Sequence, residues 1–142
     1  MSLATLAKGT QLKAGDGAAS EVFTLIPEIR TITGPSMSAD VIDVTSHDTP
    51  GGFRDKLQGL KDWGELSFEM WWVPTNVQQQ QLHSDYVAGT QRNYQLVFPN
   101  AGNTTFSFKG FVSASPITAA FDAPLVRNCT ITIMGAPQPT LI

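Results

Sequence analysis

The stretch DVTSHDTPGGFRDKLQGLKDWGE, Asp43 to Glu65, gathers His47 with Asp43, Asp48, Asp55 and Asp62, and sets Arg54, Lys56 and Lys61 among them. A histidine with a pair of carboxylates can ligate a metal ion. These acids, however, lack the one-residue alternation and the terminal glutamate of a calcium loop. Pro50-Gly51-Gly52 reads as a turn; no strand-to-helix junction with a downstream Lys/Ser pair makes it a phosphate cradle. Glu65 and Glu69 lie four apart on one strand, hence ~13 Å apart at ~3.3 Å per residue. Paired glycosidase carboxylates sit ~5–9.5 Å apart. His83, Ser84 and Asp85 are neighbours on a helix, where adjacent side chains diverge, so they form no triad. The residues offer neither a catalytic constellation nor a metal or cofactor site, and the chain reads as a non-enzyme.

The elements around this stretch are mostly strands. WGELSFEMWWV (Trp63–Val73) puts Leu66, Phe68, Met70 and Trp72 on one face and Glu65, Ser67, Glu69 and Trp71 on the other, the period of two of a half-buried strand. VFTLIPEIRTI (Val22–Ile32) reads as an edge or bulged strand because Pro27 lacks a donor, and Val41–Thr45 as a short strand. After Pro74, Thr75 or Asn76 can cap a helix over about 76–88, ended by Gly89, with Val77, Leu82 and Tyr86 as its apolar stripe. Asn93–Phe98 and Thr104–Ser115 flank an Asn-Ala-Gly-Asn turn as a hairpin. Leu125–Gly135 alternates Cys129, Ile131 and Ile133 against polar residues. Tandem prolines interrupt the tail, and its Leu-Ile end is expected to pack on something. Residues 1–20 are small and polar, a flexible arm with at most one short strand near Thr10–Lys13, preceding one domain over 21–142. The fold class is mainly β: a β-sandwich or partly closed barrel of about six to eight strands with one flanking α-helix.

At 142 residues the chain can bury one core. Charged residues make up only 15%, against about 25% in typical domains. That deficit fits a surface buried against other copies, or equally a surface rich in Thr, Ser and Gln. A net charge of −3 provides no basic field for nucleic acid. Cys129 stands alone, so no internal disulfide forms, and its alternating apolar surroundings mark it as a buried structural thiol. No segment has signal-peptide character or membrane-spanning length.

The segment Ser46–Asp62 is thus informative as a loop. Loops this long in compact domains are functional or disordered. It carries both signs of charge, a glycine hinge and the apolar residues Phe53, Leu57 and Leu60. Such a mixture suits docking on another protein; the other reading is a loop folded on its own domain.

EIRTITGPSMSADVIDVTSHDTPGGFRDKLQGLKDWGELSFEM, Glu28 to Met70, resembles the tail tube proteins of lambda-like long-tailed bacteriophages: an ITGPSM-type lead-in, a D-x-x-D-V-T segment, a Gly-rich loop with F-R-D and G-L-x-D, then a strand of alternating Glu. The later order of elements agrees, so the resemblance spans roughly residues 20–137. It implies a structural virion protein, assembled in the host cytoplasm. Homohexameric rings would stack into a tube with a β-lined lumen through which genomic DNA passes without specific binding. Tape measure, initiator and terminator proteins would be its partners, and no membrane is involved. The contact loop would comprise Asp43, His47, Asp48, Gly51, Gly52, Phe53, Arg54, Asp55, Leu57, Lys61 and Asp62. The arm would contribute Leu3, Leu6 and Lys8. Glu65, Glu69 and Lys109 are candidate lumen residues, with Lys109 able to pair with one of the acids. No C-terminal immunoglobulin-like domain is expected. A different reading is a monomeric β-sandwich module that binds, for example, carbohydrate on a platform of Trp63 and Trp71.

Overall fold

A computed structural model describes residues 3–135 and 140–142. Its strands are β1 (Gln11–Gly15), β2 (Phe23–Leu25), β3 (Ile29–Thr33), β4 (Ser38–Asp43), β5 (Lys56–Asp62), β6 (Glu65–Trp71), β7 (Arg92–Val97), β8 (Thr105–Ala114), β9 (Ile117–Thr118), β10 (Val126–Ile133) and β11 (Thr140–Leu141), with one helix, α1 (Val77–Ala88). The fold is mainly β, as expected. Nine strands share one sheet in the order β2-β1-β7-β8-β10-β6-β3, with β11 on β8 and β9 on β10, and the sheet does not close into a barrel. β4 and β5 form a separate two-stranded hairpin.

The main sheet curls around one core. Leu12 of β1 and Leu66 of β6 belong to the same buried cluster, although four strand spacings separate them, about 19 Å in a flat sheet. Alternation builds this core directly. Leu66, Phe68 and Met70 of β6 face Cys129 and Ile131 of β10, Phe106, Phe108 and Val112 of β8, and Tyr94 and Leu96 of β7. Each fully buried Leu, Ile or Phe contributes roughly 1.5–3 kcal/mol. Tyr94 stacks on Phe108 at 5.7 Å. Trp72 and Phe98, expected inside, are half-buried.

The short strand expected near Thr10–Lys13 is present as β1, and it is built into the sheet. Leu12 and Ala14 are buried and β1 is paired on both sides, with β2 and β7. The stretch Gln11–Gly15 is thus an integral strand of the sheet. Its burial was less plain than its presence, because five residues with one large aliphatic carry little alternation.

The helix begins and ends as its capping residues dictate. Asn76 Oδ1 accepts from the amides of Gln78 and Gln79, and Gly89 takes the left-handed conformation. The buried face is not the expected stripe. Val77 and Tyr86 are exposed, and the inward residues are Gln79, Leu82 and Asp85. Gln79 is fully buried and fully used: its Oε1 accepts from Val73 N–H at 2.7 Å, and its Nε2 donates to the carbonyls of Pro27 (3.2 Å) and Trp71 (3.0 Å). Gln79→Leu strands those groups, and each buried group left unpaired costs about 1–3 kcal/mol. We expect a loss of about 2 kcal/mol by urea unfolding; a loss below about 0.5 kcal/mol would show that water replaces the amide.

Two arginines, Arg127 buried and Arg92 partly buried, complete the interior. Arg92 makes a forked pair with Asp85. Arg127, 4% exposed, donates Nε–H to Ser115 Oγ (2.7 Å) and Nη2–H to His83 Nδ1 (2.9 Å), and lies 5.4 Å from the Trp72 ring. His83 is exposed, and its Nδ1 accepts from this guanidinium. Cys129 is fully buried, and burial pushes its thiol pKa up. The thiolate is the reactive form, so at pH 8 the folded protein is expected to react with a thiol reagent at least 100-fold more slowly than the urea-unfolded chain. Equal rates would contradict its burial.

Candidate assembly interface

The hairpin β4–β5 is where most of the residues first suspected of chemistry reside. The stretch Lys56–Asp62, expected within a loop or as a helical turn, is a strand instead. It pairs with β4 through Ser38↔Asp62, Ala39↔Lys61, Val41↔Gln58, Ile42↔Leu57 and Asp43↔Lys56. The loop therefore shrinks to a tip. Val44 N–H donates to Asp55 O at 2.9 Å, Asp55 N–H donates to Thr45 Oγ1 at 2.7 Å, and the Thr45 amide donates to Asp43 Oδ1 at 2.9 Å. Hydrogen bonds from Thr45, side chain first and backbone second, hold the Asp43 carboxyl below its ordinary pKa. At the apex a single 3₁₀ turn, Pro50–Gly52, needs φ of 75° at Gly51 and 67° at Gly52, a region open to glycine. Gly64 joins hairpin to sheet at φ 72°, where a Cβ would overlap Ser36 O.

No residue of the hairpin is buried. Val41, Ile42, Val44, Phe53, Leu57 and Leu60 are all exposed, Phe53 by 77% and Leu60 by 83%. An isolated two-stranded hairpin is at best marginally stable in water, and its apolar side chains remain largely exposed among the described residues. His47, Asp48, Arg54, Asp55, Lys61 and Asp62 are likewise exposed. Among the described residues no three of His, Cys, Asp and Glu come together to hold a metal.

Beside the sheet, residues 5–10 and β3 enclose a hollow of about 750 Å³, walled by Ile29, Ile32, Leu96 and Phe98. Leu6 and Lys8 of the arm line it, while Leu3 projects into solvent. Leu6 is itself largely exposed.

Glu65 and Glu69 share the face of β6 opposite the core, and Lys109 shares the corresponding face of β8. The expected pairing of Lys109 with these acids does not occur. β10 lies between β6 and β8, and Glu69 instead meets Arg30 of the adjacent β3, Nη1 to Oε1 at 2.5 Å. The Arg30 guanidinium also stacks 4.2 Å over the Trp71 ring. Arg30 was not singled out from the sequence, since Pro27 blurred the register of β3. The outer face sets Lys13, Arg30 and Lys109 against Glu65 and Glu69, near balance. The aromatic platform fails on geometry: Trp63 packs on the core, 5.9 Å from Phe106, and Trp71 lies under Arg30.

The family model described as lambda phage tail tube protein matches residues 8–140. The chain belongs to that family. This tail tube protein is a structural component of the phage virion, located in its tail. No curated protein matches the sequence. Among solved structures, the fold is similar to a chain from the tail of an empty gene transfer agent particle refined with C6 symmetry, with TM-score 0.81, 18% identity, and 98% of this chain and 99% of that one covered. It is similar to a chain from the anti-feeding prophage baseplate (TM-score 0.73, 9% identity, 100% and 97% covered). A third is the tail tube of SPP1 (TM-score 0.69, 12% identity, 93% and 75% covered). At these identities the likeness is one of fold.

Proposed function

We propose that this tail tube protein polymerises into rings of six that stack into a tube, that the hairpin β4–β5 and the arm before Gln11 join the rings, and that DNA leaves through the lumen. The observation that carries this reading is the hairpin, which exposes a row of apolar side chains on an element that no strand of the main sheet supports. The six-fold symmetry of the similar gene transfer agent tail supports the ring number. The open sheet has edges at β2 and β3, and free edges pair readily with other chains. The outer face with Glu65, Glu69 and Lys109 is our candidate for the lumen wall. Its polar, nearly charge-balanced character offers DNA phosphates no continuous cationic track, so DNA would not adhere. Terminators, initiators and a tape measure would bind the tube ends and interior.

Native mass spectrometry of the concentrated protein tests the ring number. A six-chain species, and multiples of it, is expected. A distribution dominated by dimers or trimers would overturn it.

A further inference from the structure

We propose that the turn Ala119–Pro124, with Phe121 at its apex, is the seat for the hairpin tip of a second copy of this chain. The inference rests on the assembly reading above and names the surface that receives the hairpin. Strand register gives the molecule two ends. Glu65 lies opposite Thr132 at one end of the β6–β10 pair, and Trp71 lies opposite Val126 at the other. The hairpin departs from the first end, through Trp63 and Gly64 into Glu65. The 119–124 turn sits at the second, between β9, which pairs Thr118 with Val126, and Leu125, whose carbonyl accepts Trp72 N–H at 2.8 Å. Copies stacked in one orientation therefore bring the hairpin of one toward this turn of the next. Such a contact joins two different surfaces, and between copies stacked in one orientation it can repeat along a filament.

The chemistry of the two surfaces matches. Phe121 is fully exposed and Ile117 is half-exposed beside the turn's entrance; among the described residues none covers Phe121. Asp122 follows Phe121, and Arg54 follows Phe53 at the hairpin tip. Neither Asp122 nor Arg54 has an ion pair among the described residues. An aromatic next to an unpaired acid thus faces an aromatic next to an unpaired base. Apolar contact would supply the energy and the charge pair the register.

Two experiments test this. The only native cysteine, Cys129, is fully buried, so introduced thiols report cleanly. In the Phe53→Cys/Phe121→Cys double variant, oxidation of concentrated protein is expected to give a ladder of disulfide-linked multimers, at least tenfold above either single variant. Separately, Asp122→Arg should cut pelletable polymer at least tenfold, and adding Arg54→Asp should restore it. No ladder, together with wild-type polymer from Asp122→Arg, overturns the seat. If hairpin removal still abolishes polymer in that case, the assembly reading stands and only the seat is wrong. If wild-type protein and the double variant both remain monomeric throughout, the assembly reading itself has failed.

Discussion

Arg92→Ala is expected to destabilise the folded chain by about 3–5 kcal/mol, the cost of removing one partner of a buried ion pair. Arg92 Nε and Nη2 donate to Asp85 Oδ2 and Oδ1 at 2.8 and 2.9 Å, and Nη1 donates to Gly15 O at 2.7 Å. The Arg92 side chain is 13% exposed and that of Asp85 5%. One guanidinium thus ties α1, β7 and β1 together, and its loss leaves a carboxylate and a carbonyl in the interior. The hydrogen bond to Asp85 is the main influence raising the Arg92 pKa. A base whose pKa is raised on folding contributes its stability at every pH below its unfolded value. For arginine that covers the neutral range, so the deficit should not vary between pH 6 and 8. Arg92→Lys should recover only part of the loss, because an ammonium cannot reproduce the planar fork. Urea unfolding of the three proteins measures this; a deficit under about 1 kcal/mol for Arg92→Ala would mean that the pair adds little.

The second large effect is functional. Replacing Ser38–Asp62 by a two-residue Asn-Gly link should leave the domain folded within about 1 kcal/mol, yet reduce assembly more than 100-fold. Ser38 lies opposite Asp62, and opposed residues of an antiparallel pair are only about 4.5–5.5 Å apart at Cα, so a short link spans the cut. None of the removed residues is buried, which is why stability should hold. Circular dichroism and a urea titration check the fold, and sedimentation checks assembly. An unfolded deletion variant would show that the hairpin belongs to the domain's own core. A variant that assembles normally would remove it from the interface.

The elements that were plain in the sequence are those with two distinct faces. β6 and β10 alternate large apolar residues with small polar ones, and the helix is bracketed by Asn76 and Gly89. The helix's buried face was not plain. Gln79 and Asp85 are polar, and only partners distant in sequence (Pro27 and Trp71 for Gln79, Arg92 for Asp85) make their burial tolerable. Arg127 had a signal that was open to reading, since it shares parity with Cys129, Ile131 and Ile133. β5 was hidden for a different reason: KLQGLKD has no buried face to impose a period, and Gly59 interrupts what alternation there is. The candidate interface was legible as a segment, through its length, glycines and mixed charge, and the family resemblance implied its role. Its shape was not. Phe121 drew no attention because one aromatic in a loop has no pattern; only the placement of the turn at the end opposite the hairpin gives it meaning.

The central claim is that this chain builds a tube through its hairpin. Negative-stain electron microscopy of concentrated wild-type protein beside the hairpin-deleted chain tests it most directly. The prediction is hollow filaments of stacked rings from the wild type, and folded, unassembled protein from the deletion. Wild-type protein that stays monomeric at every concentration, or filaments of the same form from the deleted chain, would contradict it.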